Sequence, residues 1–377
     1  MRKKISVLIC CVLAAACLGA RNAGVIKIGC VGPITGDQAS LGLDQLRALQ
    51  IALDEANAKG EIIPGYKLEI VSLDDQHNPS QAVTMAKRLA SDPGVVAVVG
   101  HMNSSCSLAA AAIYQNARIV QISPSSSNPE ISRKGYDTFF RTCATDDIQG
   151  PQAAYFAFTK LGAKNVFVID DKTTYGKGIA DEFEKEAIRL GVKVLGHEGI
   201  TQGEKDFTPL LTKIKALGPD VIFFGGMYPE GALLVRQARA LGLVSQWLGG
   251  DGLYVKAFID LAQADAEGVY CTFIGADVSG LESARNYLDE YNKRFGLEHI
   301  GPYSAYAYDA ANIIIDAIRR AGKNDRETTL ARVRQTKDFP GISGVTNFDE
   351  KGDSAIGLIG VFRVKNKKFE YVGPARE

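Results

Sequence analysis

Residues 95–127, VVAVVGHMNSSCSLAAAAIYQNARIVQISPSSS, decide the fold, because two apolar runs end there in small hydroxylated residues. Val95 to Gly100 reads as a β-strand that stops at His101-Met102-Asn103, and Ser104 and Ser105 open an apolar helix through Tyr114. Serine at a helix start satisfies orphan backbone N–H groups. Those amides and the helix dipole also suit an anion such as a carboxylate. Arg118 to Ile122 reads as a second strand, breaking at Ser123-Pro124 into Ser125-Ser126-Ser127. In parallel α/β sheets ligands bind beyond the carboxyl ends of strands, so the two loops belong to one crevice. The plainer alternative is that these serines only cap helices and turns.

Outward from this stretch the same alternation continues. Strands are expected at Val25 to Val31 and Lys67 to Leu73, with helices over 40–59 and 79–91. Leu43, Leu46, Leu49, Leu53 and Ala56 give the first helix its amphipathic period. Strand and crossover helix in repetition mean a parallel sheet with right-handed connections. The theme restarts after Thr138 to Cys143: a helix from Gly150, a strand at Asn165 to Asp170, a helix from Lys177, a strand at Val221 to Gly226, a helix from Gly231 and a strand near Trp247. Two such runs predict two similar doubly wound α/β lobes. Residues 268–274 read as a crossing strand, the helices over 281–336 as cover for the first sheet, and the β-rich tail as a return to the second. The expected division is 24–143 plus 274–343 for lobe one and 144–273 plus 344–377 for lobe two, joined by a three-segment hinge.

Residues 1–23 carry Arg2-Lys3-Lys4, an apolar run from Ile5 to Leu18 and small residues to Ala23, the layout of a secretory signal peptide. The run is short for a spanning helix. Ala14-Ala15-Ala16-Cys17 offers an alternative, a lipoprotein box with Cys17 as a tether. With 43 basic and 43 acidic residues there is no net field to draw nucleic acid or an anionic membrane. Cys30, Cys106, Cys143 and Cys271 are too scattered to read as a metal site and are expected mostly as buried thiols. Neither a metal nor a cofactor is expected. His77, His101, His197 and His299 form no i, i+4 pair, and there is no nucleophile elbow or P-loop, so an enzyme is not expected.

The second lobe's strand-end loops matter more. Asp171-Lys172-Thr173-Thr174-Tyr175-Gly176 follows one strand, Gly226-Met227-Tyr228 the next, and Gly249-Gly250-Asp251-Gly252 the third. Tyr175 could give its hydroxyl to a carboxylate held by the opposite lobe, and Asp251 could take an ammonium by a charge-assisted hydrogen bond.

In IGCVGPITGD, LDEANAKG, DDQHNPSQAV, VVGHMNSS, RTCATDDIQGP, DDKTTYGKG, GITQGEKDF and NFDEKGD the chain resembles periplasmic branched-chain amino-acid binding proteins, the solute receptors of ABC importers with the two-lobed type I fold. The resemblance runs from about Val25 nearly to the end. It implies that Ser104 holds a ligand carboxylate, that the Ser125 carbonyl accepts the ligand ammonium and that Ser127 contacts both ends. It further implies that Tyr175 closes from lobe two, that Asp251 pairs the ammonium, and that Leu41, Met227 and Tyr303 lie at the pocket or its rim. The implied activity is capture of leucine, isoleucine or valine by an exported monomer that delivers to a membrane permease. A sensor ectodomain of the same fold is the alternative. Where relatives place aromatics this chain has Leu41 and Met227, and where some have a disulfide it has His77 and Asn103.

Overall fold

A computed structural model describes residues 24–275 and 278–376. The expected leader, with Cys17, lies outside the described residues. The first sheet contains β1 (Gly24–Gly32), β2 (Tyr66–Asp74), β3 (Val95–Gly100), β4 (Val120–Ser123) and β5 (Phe139–Arg141), in the order β2-β1-β3-β4-β5. Every pairing in it is parallel. Its crossovers are α1 (Ala39–Ala58), α2 (Pro79–Ser91), α3 (Ser104–Ala117) and the short α4 (Glu130–Arg133). β3 is buried along its whole length, which is why it reads as an unbroken apolar run rather than an alternating one.

The second unit runs α5 (Asp146–Thr159), β6 (Asn165–Asp170), α6 (Thr174–Arg189), β7 (Lys193–Gly199), α7 (Thr208–Leu217), β8 (Val221–Gly225), α8 (Tyr228–Ala240), β9 (Gln246–Gly249), α9 (Lys256–Ala262) and β10 (Tyr270–Phe273). Its order, β7-β6-β8-β9-β10, repeats that of the first sheet. Three of these helices begin earlier than expected, at Asp146, Thr174 and Tyr228 instead of Gly150, Lys177 and Gly231. Glycine and proline near each start disguise the period. Gly176 is there for packing, since a Cβ on it would sit 2.5 Å from the Gly225 carbonyl oxygen. Thr173 caps α6 by accepting from the Gly176 amide at 2.9 Å.

The chain then returns to the first sheet through α10 (Arg285–Phe295), α11 (Ser304–Ala321) and α12 (Arg326–Arg334). Ala307, Ala311, Ile314 and Ile318 of α11 share a core with Ala48, Leu49 and Ala52 of α1. A ribbon of β11 (Phe339–Gly341) and β12 (Gly344–Thr346) follows, and β13 (Gly360–Lys365) and β14 (Lys368–Pro374) extend the second sheet antiparallel beyond β10. The return to the second sheet therefore comes later than residue 344. The buried Asp309 carboxylate of α11 accepts from the amides of Ile342 and Ser343 at 2.8 and 2.9 Å. Phe348 lies 5.0 Å from Phe140, between ring centroids. Both contacts hold the segment on the first lobe.

The three crossings are laced together. Thr142 Oγ1 donates to the Tyr306 carbonyl at 3.0 Å, Ser354 Oγ to that of Cys143 at 2.7 Å, and the Gly360 amide to that of Gly275 at 3.3 Å. No helix among the described residues is long and apolar enough to cross a membrane. Cys30, Cys106, Cys143 and Cys271 are buried free thiols.

Candidate functional site

The carboxyl ends of the two parallel sheets face each other across a cavity with about 390 Å³ of atom-free space, part of it open to solvent. The first lobe contributes His77 after β2, Met102 to Ser105 after β3 and Ser125 after β4. The second contributes Thr173 and Tyr175 after β6, Met227 after β8 and Asp251 after β9, and Tyr303 enters from the start of α11. In both sheets the strand order reverses beside the first strand of the unit, β1 or β6, which opens a crevice at that end. The lobes touch above it. The Thr174 amide donates to Ser105 Oγ at 3.1 Å, Asn128 Nδ2 donates to the Thr174 carbonyl at 2.6 Å, and Ser40 Oγ and the Tyr228 hydroxyl lie 3.2 Å apart.

On the first lobe, Ser104 is buried at the first turn of α3, whose leading N–H groups have no partner within the helix. Several neighbouring serines serve the scaffold. The His101 carbonyl accepts from the hydroxyls of Ser107, Ser123 and Ser126 at 3.2, 2.8 and 3.1 Å. The His101 ring is fixed between Asp75 Oδ2 at 2.7 Å and the Tyr114 hydroxyl at 3.1 Å, all three buried. Ser125 lines the cavity, but its hydroxyl lies 2.8 Å from both the Met102 carbonyl oxygen and Sδ. The buried Arg141 guanidinium donates to the carbonyls of Ser126 and Asn128 at 2.6 and 3.0 Å and to Asp353 at 2.6 Å. It braces the serine loop against the last crossing segment.

On the second lobe, Asp251 is buried and receives two phenolic hydroxyls: Tyr175 at 2.7 Å on Oδ1 and Tyr303 at 2.6 Å on Oδ2. Tyr175 accepts in turn from the Gly252 amide at 3.0 Å. Burial pushes the Asp251 carboxyl above its ordinary pKa, and hydrogen bonds from Tyr303 and Tyr175 oppose the shift. Burial also raises both phenols, so they remain donors.

At four of the expected positions the structure shows particular surroundings. Tyr175 gives its hydroxyl to Asp251 of its own lobe. Tyr303 is a direct partner of Asp251, more than a rim residue. Ser127 is fully buried and does not line the cavity; its carbonyl accepts from the Asp146 amide at 2.9 Å, and its hydroxyl faces the Asp146 carboxylate, opposing the rise that burial gives that acid's pKa. Leu41 is not among the lining residues but shares a hydrophobic core with the lining residues Met102, Met227 and Tyr303.

Asp146 is an acid that strand-end reasoning passes over. It is fully buried, and burial and the nearby Asp251 charge raise its carboxyl well above the usual range. The Asp146-Asp147 pair that opens α5, shortly beyond β5, is the signal that marks it. His77 and Asn103 also line the cavity, so residues read only as replacing a disulfide are part of the site.

The model of the periplasmic binding protein family matches residues 25–368. The chain belongs to that family. It is a substrate-binding protein and not an enzyme. It is 37% identical over 344 residues, 91% of each chain, to an amino acid binding protein of Pseudomonas aeruginosa. Among solved structures, the leucine binding protein LivK of Thermotoga maritima superposes with a TM-score of 0.87 at 32% identity, covering 93% of this chain and 99% of that one. The branched-chain amino acid transporter substrate binding protein LivJ of Streptococcus pneumoniae, in complex with isoleucine, gives 0.84 at 29% identity over 93% and 100%. Two α/β lobes with parallel sheets are the fold of this family, and the fold seen here.

Proposed function

We propose that this periplasmic binding protein captures a free L-α-amino acid of the size of leucine, isoleucine or valine and, once closed over it, delivers it to the permease of an ABC importer. The single observation that carries the reading is the opposition of Asp251 to the first turn of α3 across one cavity. Ser104 Oγ and the leading amides of α3 suit a carboxylate, and Asp251, oriented by two tyrosine hydroxyls, suits an ammonium. Burying both charged ends of a zwitterion is tolerable only where each is hydrogen-bonded.

Relatives named for leucine binding and for the branched-chain transporter support the ligand class and the delivery role. The moving bodies are residues 24–143 with 274 to about Phe348, against 144–273 with the tail, and the laced crossings form the hinge. Ligand held by both lobes favours the closed form by its differential affinity for it. The protein acts as an exported monomer, delivered by the leader read at Met1 to Ala23. A thermal-shift screen of the twenty amino acids tests the reading, since a ligand at a hundred times its Kd adds about 2.7 kcal/mol of stability. A raised melting temperature with one or more aliphatic-sized L-amino acids is the expected result. No shift with any of them at millimolar concentration refutes it.

A further inference from the structure

We propose that the cavity selects an amino acid whose side chain ends in both a hydrogen-bond donor and an acceptor, a hydroxyl or a carboxamide, over an aliphatic one of the same size. This rests on the amino-acid capture reading above.

The observation is a pair of stranded polar atoms on residues that line the cavity. His77 stands in a left-handed turn after β2, with φ +57°, and its amide donates to Asp75 Oδ1 at 3.0 Å. Its Nε2 lies 2.8 Å from Gln202 Nε2 of the second lobe. An amide nitrogen donates, so Nε2 accepts and the ring proton sits on Nδ1. That Nδ1 is buried with no partner among the described residues. Burial lowers the ring's pKa, in keeping with the neutral form. On Asn103, Nδ2 donates to Gln38 Oε1 at 3.0 Å, and Oδ1 is buried with no partner among the described residues.

One cavity-lining residue therefore offers a donor and another an acceptor, and an aliphatic side chain would strand both. A hydroxyl or a carboxamide can serve both at once. Met102 and Met227, also in the lining, are adaptable and apolar and impose little choice of shape. Among the described residues no Lys or Arg lines the cavity, so a carboxylate side chain would find no counter-ion from them there.

The test is calorimetry at pH 7 on the whole mature protein with two nearly isosteric pairs, valine against threonine and leucine against asparagine. Sites built to hydrogen-bond a ligand group discriminate far more than tenfold against analogues lacking it, and apolar pockets do much less. The polar member is expected to bind at least about tenfold more tightly in one pair or both. A smaller margin in both pairs overturns the inference and leaves amino-acid capture standing. If none of the twenty amino acids binds at millimolar concentration, capture itself is wrong and this inference falls with it. His77→Leu should bring the polar-to-aliphatic ratio toward one while the aliphatic ligand is retained, and Asn103→Leu provides a second reading if the first variant fails to fold. An unchanged ratio in a folded variant also overturns it.

Discussion

The two lobes share one strand order yet present opposite chemistry at the same end of the sheet. The first offers neutral hydroxyls and amides: Ser104 and Ser105 at a helix start, and a serine loop whose hydroxyls gather on the His101 carbonyl. The second offers an acid, Asp251, held by Tyr175 and Tyr303. A fold repeated twice supplies two crevices, and only the side chains after each strand give them different signs. What the contrast teaches is that neither half is a site alone: Tyr303 comes from the first lobe's return helix and completes the second lobe's acid.

Removing the acid is the severest way to break the contrast. Asp251→Ala should weaken binding of the preferred amino acid by about 2–5 kcal/mol, because a buried ammonium loses its counter-charge. Unchanged affinity in calorimetry would take Asp251 out of the site. Arg141→Met tests whether the first lobe's serine loop depends on its brace. It should lower stability by about 3 kcal/mol, the low end for a broken buried pair, because Asp353 keeps 16% of its side chain in solvent. A denaturation midpoint equal to that of the parent would contradict this.

Ser104→Ala should cost about 1–3 kcal/mol of binding, less than Asp251→Ala because the backbone amide remains. Wild-type affinity in that variant would move the carboxylate elsewhere. The acid's raised pKa sharpens the contrast further. In the empty protein burial favours protonated Asp251, and an ammonium ligand requires the ionised form. Binding must then expel a proton once the pH falls below that raised pKa, so affinity should weaken on acidification, by at most about tenfold per pH unit for one proton. Asp251→Asn should flatten that part of the profile; a full slope surviving in the variant would assign the proton to another group, with Asp146 next in line. Smallest of all, Tyr303→Phe should cost about 0.5–1.5 kcal/mol of binding, since Tyr175 still holds Oδ1.

Much of this arrangement can be read along the chain. Strand ends announce themselves by an apolar run followed by Ser, Gly or Asp, and that pattern marks Ser104, Ser125, Tyr175, Met227 and Asp251, which the structure places around one cavity. The helix starts at Asp146, Thr174 and Tyr228 are harder to see, because glycines needed for close packing look like breakers. Gly178 is one of them, pressed against Asn128 of the opposite lobe. Three-dimensional pairings leave no local trace. Nothing near Arg141 in the sequence points to Asp353, and nothing near Asp251 points to Tyr303. The destination of Ser127 is equally hidden, since it depends on where the following helix puts Asp146. The late return of the tail follows from Asp309, whose buried carboxylate needs the amides of Ile342 and Ser343.

The most direct measurement compares, by calorimetry, the tightest-binding L-amino acid with two of its own derivatives: the carboxamide, which removes the negative end, and the N-acetyl form, which removes the positive one. Gripped at both ends, the parent should bind at least about a hundredfold more tightly than either, as the loss of a buried charge-assisted contact at one end dictates. A derivative that binds as tightly as the parent would show that one lobe's polar end has no hold on the ligand.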